Sequence, residues 1–311
     1  MIELRQVAKA YGARPVVDGL SLAVAPGERL VLMGASGSGK STTLRMINRL
    51  VEPDAGAILF EGRDVRSYRA EDLRRRMGYA IQSTGLFPHW TVARNVATVP
   101  RLLRWPRARI DDRVDELLQL LGLDPPLFRD RYPHQLSGGQ LQRVGVARAL
   151  AADPAVLLMD EPFGALDPLT RHGLQRELLR IHHASGKTIV LVTHDVDEAL
   201  FLATRVVLLD AGRVLQDGTP AQLLGAPASA AVRAFVGGTE LGLRLLGLRT
   251  VGERLRPGAA ASGAPLAADL SLRAALGVFL ERATDRLPVV DARGQALGTL
   301  HLEDLFERDG R

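Results

Sequence analysis

The stretch LVLMGASGSGKSTTLRMI, residues 30–47, decides the fold. Four apolar residues predict a buried strand, a glycine-rich loop follows, and the residues after the loop predict a helix. In this context the spacing GxxxxGK[ST] predicts backbone N–H groups that converge on nucleotide phosphates, helped by the dipole of the helix. Lys40 is expected to bridge phosphate oxygens, and the Ser41 hydroxyl to hold Mg²⁺. The predicted nucleotide-binding residues of this stretch are Gly34, Ala35, Ser36, Gly37, Ser38, Gly39, Lys40, Ser41 and Thr42.

Composition limits the class of protein. The chain has 311 residues, of which 46% are hydrophobic, so it is long enough for a main domain with an appendage and too apolar to be disordered. The absence of cysteine excludes disulfides and thiolate metal sites. The net charge of +5 comes from arginines spread along the chain, which predicts no nucleic-acid partner. The apolar runs are far shorter than the roughly 20 residues of a membrane helix, so we expect a soluble chain that meets a membrane through a partner.

Two carboxylates end a second apolar strand, predicted at residues 155–159. Asp160 is expected to orient Mg²⁺ through its water shell, and Glu161 to polarise the attacking water, because hydrolysis needs both a metal and a base in line with the γ-phosphate. A strand ending in Asp-Glu is common by itself. Its position downstream of the phosphate loop favours a catalytic site.

Strands and helices alternate along most of the chain, and the strands are continuously apolar. This pattern predicts an α/β fold of the P-loop NTPase class with a mainly parallel sheet covered on both faces. His182 and His183 are predicted to lie on a solvated helix face. The predicted domains are residues 1–236, a linker at 237–265 that is rich in Pro, Gly and Ala near its end, and a small α+β unit at 266–311 that could begin near residue 246.

The sequence LSGGQ, residues 136–140, opens another predicted helix and forms a second candidate anion site. Alone it could be an ordinary N-capped helix. With the phosphate loop, it makes residues 1–236 closely resemble the ATP-binding subunits of ABC transporters. The resemblance implies a mixed sheet core, a helical subdomain at about 87–137, and a homodimer that sandwiches ATP head-to-tail. It also implies that Ser137, Gly138, Gly139 and Gln140 bind the nucleotide of the other copy.

The same resemblance implies roles for four more residues. Tyr11 would stack on adenine, and Gln82 would ligate Mg²⁺. Asp167 lies in a loop that would cross the dimer interface, and His194 would contact the γ-phosphate. Without the resemblance, Tyr11 would be an ordinary surface residue and His194 a structural histidine. The predicted catalytic residues are Glu161, His194 and Gln82, and the predicted Mg²⁺ ligands are Ser41, Gln82 and Asp160.

A narrower resemblance covers IQSTGLFPHWTV at residues 81–92, YPHQLSGGQ at 132–140 and MDEPFGALDPLTR at 159–171. These segments resemble the ATPase subunit of bacterial importers for glycine betaine, carnitine, choline or proline. This implies two integral-membrane permease subunits, a substrate-binding protein in the same system, and a peripheral location on the cytoplasmic face of the inner membrane. Leu86, Phe87 and Trp90 are candidates for the permease-docking groove, or they pack the helical subdomain.

The C-terminal segment resembles a single CBS motif, with SLRAAL at residues 271–276, DRLPVVDARG at 285–294 and ALGTLHLEDL at 296–305. Asp304 stands at the ribose-contacting place of such motifs. His301, however, stands where adenosine-binding motifs have Ser or Thr. The resemblance therefore implies a module that binds AMP or ATP poorly and pairs with its twin.

Other functions remain open at this point. One is an ABC importer for another small solute, such as a sulfonate, nitrate or an amino acid, against which the CBS-like tail argues. Another is an ABC ATPase that acts on nucleic acid or the ribosome, although such proteins usually have two ATPase domains or a long coiled-coil insertion. A third is a sensor that gates transport by ionic strength, which is compatible with the importer.

Overall fold

The computed structural model describes residues 1–81, 85–164, 166–258 and 261–306, without the side chains of Leu169 and Thr239. The chain forms two compact units, Met1–Asp217 and Gly218–Arg311. The division falls earlier than the boundary at residue 236 that the sequence predicts, because the first two helices after Asp217 group with the C-terminal unit.

Two sheets build the first unit. One has the order β2-β1-β4-β5, and the other has the order β10-β9-β3-β8-β7-β6. The strands are β1 (Ile2–Tyr11), β2 (Arg14–Val24), β3 (Arg29–Met33), β4 (Ala55–Phe60), β5 (Arg63–Asp64), β6 (Met77–Ala80), β7 (Val156–Asp160), β8 (Thr188–Val192), β9 (Arg205–Asp210) and β10 (Arg213–Gly218).

The helices of this unit separate into two groups. Helices α1, α2, α8 and α9 accompany the sheets, and α3 to α7 form the helical region between β6 and β7. The helices are α1 (Lys40–Ile47), α2 (Ala70–Arg75), α3 (Val92–Val96), α4 (Thr98–Leu102), α5 (Arg107–Leu120), α6 (Pro125–Phe128), α7 (Gly138–Leu150), α8 (Pro168–Ser185) and α9 (Val196–Leu202).

Parallel pairing in the six-stranded sheet decides where the site forms. Strand β3 pairs in parallel with β8 and β9, and β7 pairs in parallel with β8 and β6. All five residues of β7 and of β8 are buried, which agrees with the predicted sheet covered on both faces. Because the carboxyl ends of parallel strands meet at one edge, the segments that follow β3, β7 and β8 lie side by side.

His182 differs from the sequence prediction of a solvated face. The residue is only 8% exposed. Its ring lies between Gly27 and Arg29, with Nε2 at 2.8 Å from the Gly27 carbonyl oxygen and Nδ1 at 2.8 Å from Nη1 of Arg29. Since a carbonyl accepts and a guanidinium donates, Nε2 carries the proton and Nδ1 accepts. Its neighbour His183 is exposed, as predicted.

The C-terminal unit has its own small core. Its strands are β11 (Leu266–Ala267), β12 (Arg286–Val290) and β13 (Ala296–His301), and its helices are α10 (Pro220–Gly225), α11 (Ala230–Phe235), α12 (Leu241–Gly247) and α13 (Leu272–Arg282). Strand β12 pairs in parallel with β11 and antiparallel with β13. Val251 is fully buried in a cluster with Leu266, Leu272 and Phe279. Much of the segment predicted as a linker, residues 237–265, is therefore folded, because its apolar residues complete this core.

Within the described ranges, none of the helices combines the length and the apolar character needed to cross a bilayer.

Candidate functional site

The glycine-rich loop follows β3 and is closely packed. Gly34 has a φ of 144°, and a Cβ atom there would overlap the carbonyl oxygen of Leu209. At Gly39, φ is 99° and a Cβ atom would overlap the carbonyl oxygen of Val16. Both positions therefore require glycine for space as well as for backbone conformation. Their contacts hold residues 34–39 between β2 and β9, at the start of α1.

Lys40 is the first residue of α1 and folds back over the loop. Its side chain is buried, and Nζ donates hydrogen bonds of 2.8 Å to the carbonyl oxygens of Gly34 and Ala35. Burial lowers the pKa of this ammonium, while the charges of Glu161 and Asp160 oppose the shift. The cation is thus kept where phosphate oxygens could replace the loop carbonyls as its partners.

Ser41 joins the loop to the end of β7. Its hydroxyl donates a hydrogen bond of 2.8 Å to Oδ1 of Asp160, whose side chain is buried. Burial raises the pKa of Asp160, and the hydrogen bond from Ser41 partly reverses the effect. A hydroxyl and a carboxylate oxygen side by side are the donors that Mg²⁺ prefers, so these two residues fit the ion.

Two further observations concern metal binding. Among the described residues, no cluster of three or more His, Cys, Asp or Glu side chains could hold a metal alone. Gln82, the third predicted ligand, lies outside the described residues.

Glu161 and His194 meet at the same edge of the sheet. Nδ1 of His194 lies 3.2 Å from Oε1 of Glu161, and the backbone N–H of Glu161 donates to the carbonyl oxygen of Val192 at 3.0 Å. Glu161 has a φ of 47°, in the left-handed region that non-glycine residues seldom occupy. Such strain is often found at functional sites. The histidine side chain is 66% exposed, so a ligand at this edge can reach it.

Ser137 and Gln140 form a separate group at the start of α7. The Gln140 N–H donates to the Ser137 hydroxyl at 3.3 Å, and the Ser137 N–H donates to Oε1 of Gln140 at 3.0 Å. This capping box leaves the first turn of α7 well ordered. A Cβ atom at Gly139 would come within 3.0 Å of the Leu166 side chain. The LSGGQ segment therefore adjoins the loop that carries Asp167 in the same chain.

Asp167 and Tyr11 complete the predicted set. Asp167 is the N-cap of α8 and accepts a hydrogen bond of 3.0 Å from the N–H of Thr170. Tyr11 ends β1 and is 51% exposed, with Nζ of Lys9 5.8 Å from its ring centre. The structure thus brings Lys40, Ser41, Asp160, Glu161 and His194 together. It joins the LSGGQ segment to the loop before Asp167 in a second group.

Sequence reasoning missed two residues that link these loops, Arg171 and Asp195. Arg171 on α8 donates to the Leu166 carbonyl oxygen at 3.1 Å and pairs with Asp195 at 3.4 Å. Asp195 caps α9 by accepting from the N–H of Glu198. The Asp195–Glu198 spacing is typical of a helix start and could have revealed the cap. No local pattern points to Arg171, since its partners come from two separate loops.

A phosphate loop, a strand-ending Asp–Glu pair and a histidine at one edge of a parallel sheet define a P-loop nucleoside triphosphatase. The comparison with known proteins gives the particular family. The sequence model of the ABC transporter family matches residues 17–164. The "Glycine betaine uptake system ATP-binding protein YehX" of Escherichia coli (strain K12) is 61% identical over 306 residues, which cover 98% of this chain and 99% of that protein.

Two further matches agree. The "Glycine betaine/carnitine/choline transport ATP-binding protein OpuCA" of Bacillus subtilis (strain 168) is 45% identical over 304 residues, 97% of this chain and 79% of that protein. The dimeric ATP-binding cassette MJ0796, in a post-hydrolysis state with ADP and Pi, is 33% identical with a TM-score of 0.66, covering 71% of this chain and 99% of that one. The chain belongs to the ABC transporter family as an ATP-binding subunit. The predicted ABC ATPase fold, ATP binding and ATPase activity are confirmed.

Proposed function

We propose that the chain is the ATPase subunit of an importer for a compatible solute, which is a quaternary ammonium compound (glycine betaine, carnitine or choline) or proline. One observation carries this proposal. The similarity to the YehX and OpuCA proteins, whose names state such solutes, extends over nearly the whole chain and so includes the C-terminal unit. ATP hydrolysis on this chain would power the passage of the solute through a partner permease.

Each residue of the first group has a chemical task in this proposal. The loop amides and Lys40 bind and orient the phosphates. Ser41 and Asp160, with Gln82, would hold Mg²⁺, which supplies neutralisation of the phosphate charge when bound. Glu161 accepts a proton from the attacking water. His194, exposed and in contact with Glu161, contacts the γ-phosphate.

We further propose that two copies act as a head-to-tail homodimer. The two separate groups in one chain support this arrangement, because Ser137 and Gln140 bond to each other and adjoin Leu166 rather than the phosphate loop. The second group, with Gly138, Gly139 and Asp167, would complete the nucleotide site of the other copy. Tyr11, exposed at the end of β1, would stack on the adenine of the nucleotide that its own copy binds.

The proposed membrane partners are two permease subunits, with a substrate-binding protein in the same system and this chain on the cytoplasmic face. A cluster of aromatic side chains supports a docking site. The rings of Phe87 and Trp90 lie 4.3 Å apart, and Phe87 is 39% exposed. The buried Asn95 side chain organises the loop beneath them, since Nδ2 donates to the carbonyl oxygens of Phe87, Trp90 and Thr91. Leu86 is partly exposed beside them.

For the tail, which is residues 266–311 or an alternative module that begins near residue 246, we propose a single CBS-like module that does not bind AMP or ATP well and pairs with its twin. Its ribose-contacting candidate, Asp304, is buried and already engaged. Nε of Arg256 donates to its oxygens at 3.0 and 3.1 Å, and the His301 N–H donates to Oδ2 at 3.1 Å. Leu280 and Phe306 are 72% and 68% exposed and would cover one another's apolar surface in the pair.

Calorimetric titration of AMP into the full chain with Lys40→Ala tests the tail. We expect no heat of binding. An affinity in the micromolar range would contradict the proposal, provided that Asp304→Ala removes it.

The experiment for transport is uptake of radiolabelled glycine betaine, carnitine and choline at high osmolarity, by cells with this protein and its neighbouring permease genes, wild type beside Lys40→Ala. Uptake that disappears in the variant supports the importer and identifies the cargo. Equal uptake in both refutes the proposed cargo, and the same pair of strains then serves to test other small solutes and nucleic-acid binding.

A further inference from the structure

Arg171 spans two loops that sequence separates by almost thirty residues. One outer nitrogen of its guanidinium donates to the carbonyl oxygen of Leu166 at 3.1 Å, and the other lies 3.4 Å from Oδ2 of Asp195. The side chain projects from the first turn of α8 and is 30% exposed. A planar guanidinium can hold two acceptors at a set spacing, which a single ammonium cannot do.

The first partner of Arg171, the Leu166 carbonyl, lies next to the LSGGQ segment and Asp167, which form the second group of site residues. Leu166 directly precedes Asp167, and its side chain is the atom group nearest to a Cβ atom placed at Gly139. Asp167 in turn caps α8, the helix that bears Arg171. A displacement of the loop at Leu166 would therefore change its contacts both with the LSGGQ segment and with the Arg171 guanidinium.

The second partner of Arg171, Asp195, is the residue that fixes the backbone next to His194. Asp195 follows it directly, donates its N–H to the Thr193 hydroxyl at 3.0 Å, and caps α9 through the N–H of Glu198 at 3.1 Å. These bonds define the backbone on both sides of His194, whose ring contacts Glu161. The Glu198 carboxyl is buried below, and its pKa rises to about 8 through burial and the charge of Asp195, while Arg171 opposes the shift. The positive charge of Arg171 thus reduces the repulsion between the neighbouring carboxyl groups of Asp195 and Glu198.

We propose that Arg171 is a positioning residue that couples the Leu166–Asp167 loop to His194 within one copy of the chain. When a second copy engages Asp167, the guanidinium transmits the position of the Leu166 carbonyl to Asp195 and so to the histidine. The proposal rests on the proposed ATPase dimer and deepens it, since it names the intrachain link between the interface loop and the site of hydrolysis. In this proposal Arg171 acts on the reaction through Asp195 and His194.

The test compares Arg171→Lys, Arg171→Ala and Arg180→Lys in the full chain by steady-state ATP hydrolysis. Arg180 is a matched control, because it lies on the same helix, is 77% exposed and pairs with Glu177 one turn earlier. We expect Arg171→Lys to lower kcat about tenfold with the KM for ATP changed less than about twofold, since positioning acts on the reaction and not on ground-state binding. Arg180→Lys leaves both constants at the wild-type values.

A double-mutant cycle with Asp195→Asn tests the pathway. If the two residues act as a unit, the double variant with Arg171→Ala loses no more activity than the more damaged single variant. Thermal unfolding identifies any variant that fails to fold. If Arg171→Ala is such a variant, Arg171→Lys still tests the proposal.

Three results would overturn the inference: unchanged kcat in Arg171→Lys, an equal loss in Arg180→Lys, or additive losses in the cycle. A wild-type chain that forms no dimer with ATP would instead overturn the proposed head-to-tail dimer, and this inference with it.

Discussion

The hydroxyl of Ser41 donates a hydrogen bond of 2.8 Å to Oδ1 of Asp160, 119 residues further along the chain. This bond joins the first turn of α1 to the end of β7, two elements that have no local relation in sequence. It also places a hydroxyl and a carboxylate oxygen at the distance at which one small cation could bind both. The phosphate loop and the hydrolytic edge of the site are therefore one structure.

Removal of this hydroxyl should raise the Mg²⁺ requirement. In Ser41→Ala, Asp160 loses a hydrogen-bond partner and the ion loses a ligand. We therefore expect the Mg²⁺ concentration for half-maximal hydrolysis to rise at least about tenfold. The measurement is the ATPase rate as a function of Mg²⁺ concentration. Ser41→Thr, which keeps the hydroxyl, is the control and should follow the wild-type curve. An unchanged curve for Ser41→Ala would exclude the residue as a ligand.

Glu161→Gln should separate ATP binding from ATP hydrolysis. The amide keeps the shape of the side chain but cannot accept the proton of the attacking water, so we expect hydrolysis to slow by about 100-fold or more. ATP should still bind, and the trapped nucleotide should hold a dimer that light scattering detects. Glu116→Gln, at an exposed glutamate of α5 paired with Arg113, serves as the control. Normal turnover in Glu161→Gln would remove this residue from the role of base.

Gly34→Ala should disrupt the loop. The new Cβ atom would overlap the Leu209 carbonyl, and the φ of 144° is unfavourable for alanine. We expect the free energy of unfolding to fall by about 2 kcal/mol or more, with loss of measurable ATP binding. Gly173→Ala is the control: its Cβ atom meets nothing within 4 Å on α8, so helix propensity should stabilise the chain slightly. Denaturant unfolding and ATP titration measure both effects.

His182 should make stability depend on pH. Burial lowers its pKa below the ordinary value of 6.5, so in the pH range below that value the unfolded chain binds more protons than the folded one. The contribution of the neutral ring is therefore fully present above about pH 6.5 and is lost as the pH falls toward the folded-state pKa. We expect His182→Gln to have a smaller decrease in the free energy of unfolding between about pH 7 and about pH 5 than the wild type.

The exposed neighbour makes the control for this titration. His183→Gln should keep the wild-type pH dependence, because His183 is exposed and His182 alone of the two makes the buried contacts with Gly27 and Arg29. If the free energy of unfolding changes equally with pH in the wild type and in His182→Gln, the buried ring is not the cause of the pH dependence.

The predicted strand, loop and helix around Gly34 appear in the structure where the sequence placed them, for a physical reason. The strand before Gly34, the loop and the helix after it are consecutive, so the pattern of residue types determines their geometry locally. The same holds for the apolar strand that ends at Asp160. Parallel pairing then brings such strand ends to one edge, which makes the meeting of Ser41, Asp160 and His194 a topological consequence.

The prediction that His182 lies on a solvated face was wrong, and the course of residues 237–265 was difficult to predict, for the opposite reason. The interior place of His182 depends on Gly27 and Arg29, more than 150 residues away, and helical periodicity alone does not detect such partners. The folding of the expected linker depends on Val251 finding a core made by β11, β12 and α13. Composition rich in Gly, Pro and Ala indicates flexibility only where no such core is near.

By itself, the sequence determined the class of enzyme. It also predicts the nucleotide-binding residues, because glycine, lysine and carboxylates at short spacings carry that chemistry within single turns and strand ends. Tertiary structure alone decided which distant groups meet: the buried ring of His182, the division of the chain after Asp217, and the bridge from Arg171 to Leu166 and Asp195. These depend on packing between elements far apart in the chain, and such contacts leave no periodic trace in the residues that make them.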